Sequence, residues 1–166
     1  KSNTYAFERN FGWSGVLIEA NDDLFAALNR TRPNSDRVHS CVARRSGNYT
    51  FFPEGLFSGL ALHGRSGDES TGALAQTRWC RTLSEILTEQ LGADALHIDY
   101  LSLDLEGAEL DVLEGLDFSR TTVDIISMEA QDQTHPRIQK RMSRLLHRHG
   151  FRLFDKVVLD EIWIRR

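Results

Sequence analysis

The stretch Tyr100–Leu116, YLSLDLEGAELDVLEGL, sets three acids at a point where one pattern gives way to another. A short apolar run (Tyr100, Leu101, Leu103) ends on Asp104, and Leu110, Val112 and Leu113 then follow at helical spacing. This is the pattern of a buried parallel strand feeding a helix, with Asp104, Glu106 and Glu109 at the junction. In open α/β sheets ligands bind beyond the carboxyl ends of the strands. A carboxylate there can take a proton, orient a hydroxyl group or ligate a hard cation. Glu106 and Glu109 also suit the first turn of a helix, where backbone N–H groups lack partners. Asp104 has no such simple explanation. Two further strand-like runs, GVLIEA (Gly15–Ala20) and Val123–Glu129, end on Glu19 and Glu129. The expected catalytic set is Asp104 first, with Glu106 or Glu129 beside it. Asp104 and Glu106 could together hold Mg²⁺, but two carboxylates are a thin ligand set, and no metal site is assigned.

Other reactive side chains have plainer readings. His135, before Pro136, lies in a loop after the Val123–Glu129 strand that could face an acceptor, and a solvent-exposed histidine is the simpler account. His147 and His149 are two apart on a helix and cannot share a ligand face. Trp13 and Trp79 could line a pocket, although aromatic residues at element boundaries are more often core. Ser58-Gly59 and the Gly/Ser-rich stretch Gly64–Thr77 could form a substrate lid or a plain surface loop.

The elements that must position these residues alternate. Thr4–Phe11 reads as the end of a helix stopped by Gly12. After the Gly15–Ala20 strand, Asn21, Asp22 and Asp23 offer a cap and an acidic first turn to a helix carrying Leu24, Phe25 and Leu28. Val38–Ala43 reads as one strand. Asn48–Phe52 and Leu56–His63 suggest an inserted hairpin. Thr82-Leu83-Ser84-Glu85 is a capping box ahead of Ile86, Leu87 and Leu91. Gly115 is expected to stop the helix after the acidic junction. Ile138, Met142, Leu145 and Leu146 form an amphipathic helix closed by Gly150, and Phe151–Asp155 with Glu161–Arg165 read as an antiparallel pair. Strands alternating with helices predict an α/β fold: a Rossmann-like, doubly wound, mostly parallel sheet with helices on both faces, in one domain over residues 1–166.

Bulk properties narrow the function. A chain of 166 residues with 40% hydrophobic and 27% charged residues suits one soluble globular domain. A net charge of −4 argues against nucleic acid as a partner. The basic run Arg137, Lys140, Arg141, Arg144 and Arg148 follows a single helix and reads as its solvated face. No apolar stretch approaches the roughly 18 residues of a membrane span, and nothing resembles a signal peptide. Cys41 and Cys80 lack metal-type spacing; two thiols fit a reducing compartment, and one disulfide between them is the alternative. Asn29-Arg30-Thr31 and Asn48-Tyr49-Thr50 match the N-glycosylation acceptor pattern, which also arises by chance. The compartment stays open between cytoplasm and a secretory lumen, and so does the oligomeric state.

In an adenosine-type site, the acid ending the second strand takes the ribose hydroxyls, about 20 residues past a glycine-rich turn. Glu19 fits that role if such a turn lies before Lys1. Here the residues become recognisable: SNTYAFERNFGWSGVLIEAN (Ser2–Asn21) together with HIDYLSLDLEGAELDVLEGLDF (His97–Phe118) resembles the FkbM-type methyltransferase family, over nearly the whole chain. The resemblance implies an S-adenosylmethionine-dependent enzyme that methylates hydroxyl oxygens of sugars or small natural products. By position it implies Glu19, with Ala20 and Asn21, at the cofactor ribose. Ser40, Cys41 and Val42 would lie by the adenine, and Asp104 would face both the cofactor and the acceptor. Family members carry a D-I-G-A-N-D-G-like loop just ahead of S-N-T-Y, absent from the sequence before Ser2. The expectation is an N-terminally truncated domain without its first, central strand, leaving two strand edges unpaired and the fold marginal. Two other classes remain. One is a non-catalytic interaction or trafficking module. The other is a nicotinamide-dinucleotide protein, which the lack of G-x-G-x-x-G makes weakest. Upstream sequence separates them.

Overall fold

A computed structural model describes residues 3–53, 59–60, 75–92, 96–130 and 136–166. The order of elements is α1 (Tyr5–Phe11), β1 (Val16–Glu19), α2 (Asp22–Thr31), β2 (Asp36–His39), β3 (Cys41–Val42), β4 (Gly47–Phe52), β5 (Gly59–Leu60) and β6 (Gln76–Arg81). It continues with α3 (Leu83–Leu91), β7 (Leu96–Leu103), α4 (Glu109–Gly115), β8 (Thr121–Glu129), α5 (Pro136–Arg148), β9 (Phe151–Val157) and β10 (Asp160–Arg165). The fold is mixed α/β.

Local chemistry explains most element ends. Asn21 Oδ1 accepts the backbone N–H groups of Asp23 and Leu24, which caps α2. Thr82 and Glu85 form the reciprocal capping box of α3. Gly12 and Gly92 end α1 and α3 at φ of 69° and 65°, a region most side chains avoid. Gly115 departs from expectation. It is the last residue of α4, and its glycine identity answers a packing need: a Cβ there would meet the carbonyl oxygen of Arg44 at 2.7 Å.

Strand pairing also departs from one mostly parallel sheet. The described strands form three ladders, β1-β2, β7-β8-β10-β9 and β3-β6-β4-β5. The pairs β1/β2, β3/β6 and β7/β8 are parallel, whereas β10 is antiparallel to both β8 and β9, and β4 to both β5 and β6. The single strand expected over Val38–Ala43 is broken at Ser40, and its halves belong to different ladders. β6 starts at Gln76, so the end of the expected Gly64–Thr77 loop is strand. The rest of that loop up to residue 74, and Ser58, lie outside the described residues.

A continuous core joins two of these ladders. Ile126, Leu113, Ile86, Met142 and Leu146 are fully buried at its centre, each worth about 1.5–3 kcal/mol of transfer free energy. Val16, Ile18 and Val38 from β1 and β2 pack against the same core. Among the described residues β1 pairs only with β2, and β7 only with β8. The α1 helix crosses between them: Phe7 meets the Tyr100 ring at 5.5 Å, edge to face, and Asn3 Nδ2 donates to Ser102 Oγ at 3.2 Å. At its other side α1 is fastened to the α2–β2 turn by Glu8, which accepts from Arg32 Nε and Ser35 Oγ, each at 2.5 Å. Arg32 is only 4% exposed, so this is a buried ion pair satisfied by hydrogen bonds.

A second small core lies under β3, β4 and β6, built from Phe51, Leu60, Ala43, Cys41 and Cys80. Cys41 and Cys80 are directly opposed in the β3/β6 ladder and form a disulfide. Of the two thiol readings open in the sequence, the paired one is realised. Trp79 departs from the core reading: it is 62% exposed. Trp13 stacks on Phe7 at 4.9 Å between centroids and stays partly exposed.

Candidate active site

The acidic junction has a definite architecture. β7 and β8 run parallel with Leu103 opposite Met128, so Asp104 and Glu129 emerge at neighbouring carboxyl ends. After exposed Asp104 the chain turns back through Glu106 at φ 53° and Gly107 at φ 101°. A left-handed glutamate is uncommon, and such backbone persists only where its surroundings hold it. What holds it is Glu109. The side chain is 1% exposed, and Oε1 accepts the backbone N–H of Leu105 at 2.9 Å and of Gly107 at 3.3 Å. Oε2 is buried without a hydrogen-bond partner among the described residues.

Electrostatics follow from that burial. Desolvation raises the Glu109 carboxyl above the usual range, more than its backbone donors lower it, and the nearby Glu129 charge adds to the rise. Glu129 is raised too, by burial first and then by the charges of Asp104 and Asp160. The structure thus brings Asp104 and Glu129 into one acidic group and gives Glu109 a positioning role behind them. Glu106 is half-buried in the turn between them. Sequence reasoning set Glu109 aside as a helix-end stabiliser. Its buried bracing leaves only a faint signal, an acid at the start of an otherwise apolar helix face.

The expected cofactor residues divide. Glu19 ends β1 and its Oε1 accepts the Asn21 backbone N–H at 2.8 Å, while Ser40 N donates to the Glu19 carbonyl at 3.1 Å. Glu19, Ala20, Asn21 and Ser40 therefore meet at the carboxyl ends of β1 and β2. Cys41 and Val42 turn away into the next ladder, one within the disulfide and both buried. Arg78, which sequence reasoning passed over, reaches this cluster from β6. Its Nη1 donates to the Ala20 carbonyl and its Nη2 pairs with Asp22 at 2.8 Å. The guanidinium lies 4.9 Å from the Phe51 ring centroid. His39, at the end of β2, stacks on Phe25 with centroids 4.5 Å apart.

Two more polar groups lie on β7 and β8. Near the carboxyl ends, Tyr100 OH and Ser127 Oγ are 2.6 Å apart, with Ser102 Oγ 3.4 Å further along. Further back along the strands His97, Asp99 and Asp124 present ligand atoms within 4.8 Å of one another, and His97 Nε2 lies 2.9 Å from Asp124. They are far along the strands from Asp104 and belong to no part of the acidic group. His147 is held by the Phe151 carbonyl at 3.0 Å and His149 stacks on Phe118, so neither is a ligand candidate. His135 lies outside the described residues.

The family model of the methyltransferase FkbM domain matches residues 1–153. The chain belongs to this family. No curated protein and no solved structure matches the chain. The match takes in every strand end described above, from Glu19 to Glu129, and stops within β9. The family is one of methyltransferases.

Proposed function

We propose that this domain is an S-adenosylmethionine-dependent O-methyltransferase acting on a hydroxyl group of a sugar or small natural product. The observation that carries the reading is the pairing of Asp104 and Glu129 at adjacent strand ends, on a turn braced by buried Glu109. A mutually repelling pair of carboxylates, one with a raised proton affinity, is suited to take a proton from a hydroxyl and to orient it. The cofactor supplies an electrophilic methyl group on sulfonium.

The chain's own residues divide the remaining work. Glu19 commits one oxygen to Asn21 and offers the other to ribose hydroxyls. Ser40, with the exposed edge of His39, suits the adenine side, and Arg78 holds the Ala20 carbonyl so that the Glu19–Asn21 turn keeps its shape. Cys41 and Val42 contribute backbone only. Asp104 orients the acceptor hydroxyl, Glu129 takes its proton, and Glu106 shapes the turn. Fixing the position of the acceptor oxygen by Asp104 and Glu129 would contribute to the acceleration.

We place β1-β2 and β7-β8-β10-β9 in one doubly wound Rossmann-like sheet, completed by a parallel strand between β1 and β7. In support, each of those strands has a single partner among the described residues, and both pack on one core. The test is calorimetric titration of S-adenosylmethionine into this chain, paired with Asp104→Asn. Binding that the substitution weakens supports the reading. Folded protein that binds nothing would overturn it.

A further inference from the structure

The exposed face of the β6/β4 ladder carries an unusual pair. Asn48 of β4 lies directly opposite Trp79 of β6, and Thr50 lies opposite Thr77. Directly opposed residues share a sheet face, with Cβ atoms about 4.5–5.5 Å apart. All four are exposed, and Trp79 is 62% exposed, with no described element packed over it. The indole offers a broad, rigid apolar surface with a polar N–H at one edge. The residue beside it is the asparagine of Asn48-Tyr49-Thr50, an N-glycosylation acceptor pattern.

The opposite face of the same ladder supplies an independent observation. There Cys41 and Cys80, 5% and 0% exposed, are joined in a disulfide that ties β3 to β6 beneath the Phe51 core. Disulfides form and persist in oxidising compartments, which in eukaryotic cells are those where asparagine glycosylation takes place. We propose that this domain matures in the secretory lumen of a eukaryotic cell and carries an N-linked glycan on Asn48, whose first sugars lie on the Trp79 indole. Asn29, in the other acceptor pattern, is less suited. It sits on α2 with its Oδ1 engaged by Arg37 Nε at 3.0 Å.

Both covalent steps balance. The Asn48 amide nitrogen attacks the anomeric carbon of a lipid-pyrophosphate-linked oligosaccharide. The C–N bond forms as the C–O bond to pyrophosphate breaks, the lipid pyrophosphate leaves, and the amide proton passes to the transferase. The two thiols lose two electrons and two protons to the disulfide of a thiol oxidoreductase, which is reduced to a dithiol.

The experiment uses the protein purified from the cells that make it. Thiols are alkylated under denaturing, non-reducing conditions, and tryptic peptides are weighed before and after peptide N-glycosidase, which leaves Asp where a glycosylated Asn stood. The expected result is no alkylation of Cys41 or Cys80, glycosidase-dependent conversion of Asn48 to Asp, and loss of one glycan mass in Asn48→Gln and in Thr50→Val. Removal of the glycan from folded protein should also shift Trp79 emission to longer wavelength, a shift lost in Trp79→Phe. Alkylated cysteines, or an unmodified Asn48 in oxidised protein, would overturn the proposal. A glycan on Asn48 whose removal leaves the emission unchanged would overturn the Trp79 contact. None of these readouts depends on methyl transfer.

Discussion

Glu109 gives the sharpest test of how the acidic junction is held. One of its oxygens accepts two backbone N–H groups, from Leu105 and Gly107, in a place water does not reach. Glu109→Ala orphans both donors, and a buried unpaired donor costs about 1–3 kcal/mol. The expected loss is about 2–4 kcal/mol of unfolding free energy. Glu109→Gln keeps the acceptor and removes the titration, but sets an amide NH2 where Oε2 is buried without a partner, and should cost about 1–3 kcal/mol at neutral pH. The pH dependence carries the sign. Burial raises the folded-state affinity of Glu109 for its proton above the unfolded value. Its stabilising contribution is therefore complete below the unfolded pKa and is lost as pH rises through the folded one. Glutamine has nothing to lose, so Glu109→Gln should gain on the parent as pH rises. Urea unfolding midpoints of the three proteins across an acid-to-alkaline series measure this. A glutamine variant that falls behind the parent with rising pH would mean that the ionised carboxylate is the favoured form, and the bracing account would fail. An alanine variant as stable as the parent would refute it equally.

Further outcomes follow from other contacts. Arg32→Ala removes the buried cation from part-exposed Glu8, which keeps its Ser35 hydrogen bond, and should cost about 1–3 kcal/mol in denaturant unfolding. Hydrogen bonding from Ser35 and the Arg32 partner hold the Glu8 carboxyl below its usual range. Its share of stability is then present above the unfolded pKa and should fade as acid protonates it, in the sense opposite to Glu109. Gly115→Ala forces a methyl group against the Arg44 backbone and should lower stability by about 1–3 kcal/mol, read as a drop in Tm. Reducing the Cys41–Cys80 bond, which spans 39 positions, should cost about 4 kcal/mol by the loop-entropy relation, measured as the difference between oxidised and reduced unfolding. Glu129→Gln should lower kcat by about 10²–10⁴-fold with a smaller change in acceptor KM.

Helix ends were legible in the sequence because they are decided within a few residues. Asn21 and the Thr82–Glu85 box cap the helices they announce, and Gly12 ends α1. The strand ends at Glu19, Leu103 and Glu129 could be read for the same reason, from apolar runs meeting polar caps. Of the strand partners, the antiparallel β9/β10 pair of chain neighbours was legible, and partners distant in the chain were not. Val38–Ala43 reads as one strand because its pattern is unbroken, yet Ser40 passes the chain from β2's ladder to β3's, a choice made by β1 and β6. The disulfide and the exposure of Trp79 follow from the same β3-β6-β4 pairing. Glu109 misleads for another reason. A helix-start acid is normally solvated, and only the left-handed turn ahead of it draws this one inward.

The two ladders that share the main core are fastened to each other by side chains alone among the described residues: Val16, Ile18 and Val38 beneath, and the α1 anchors above. A backbone ladder transmits order along its whole length, whereas side-chain packing lets one part loosen while its neighbour stays shut. Amide protons of β1 and β2 should therefore exchange with solvent through a local opening well below the global unfolding free energy. Those of β7, β8 and β10 should wait for the whole domain to unfold. The half of the site built on Glu19 and Ser40 would then be the half that breathes, and whatever binds there would tighten it first.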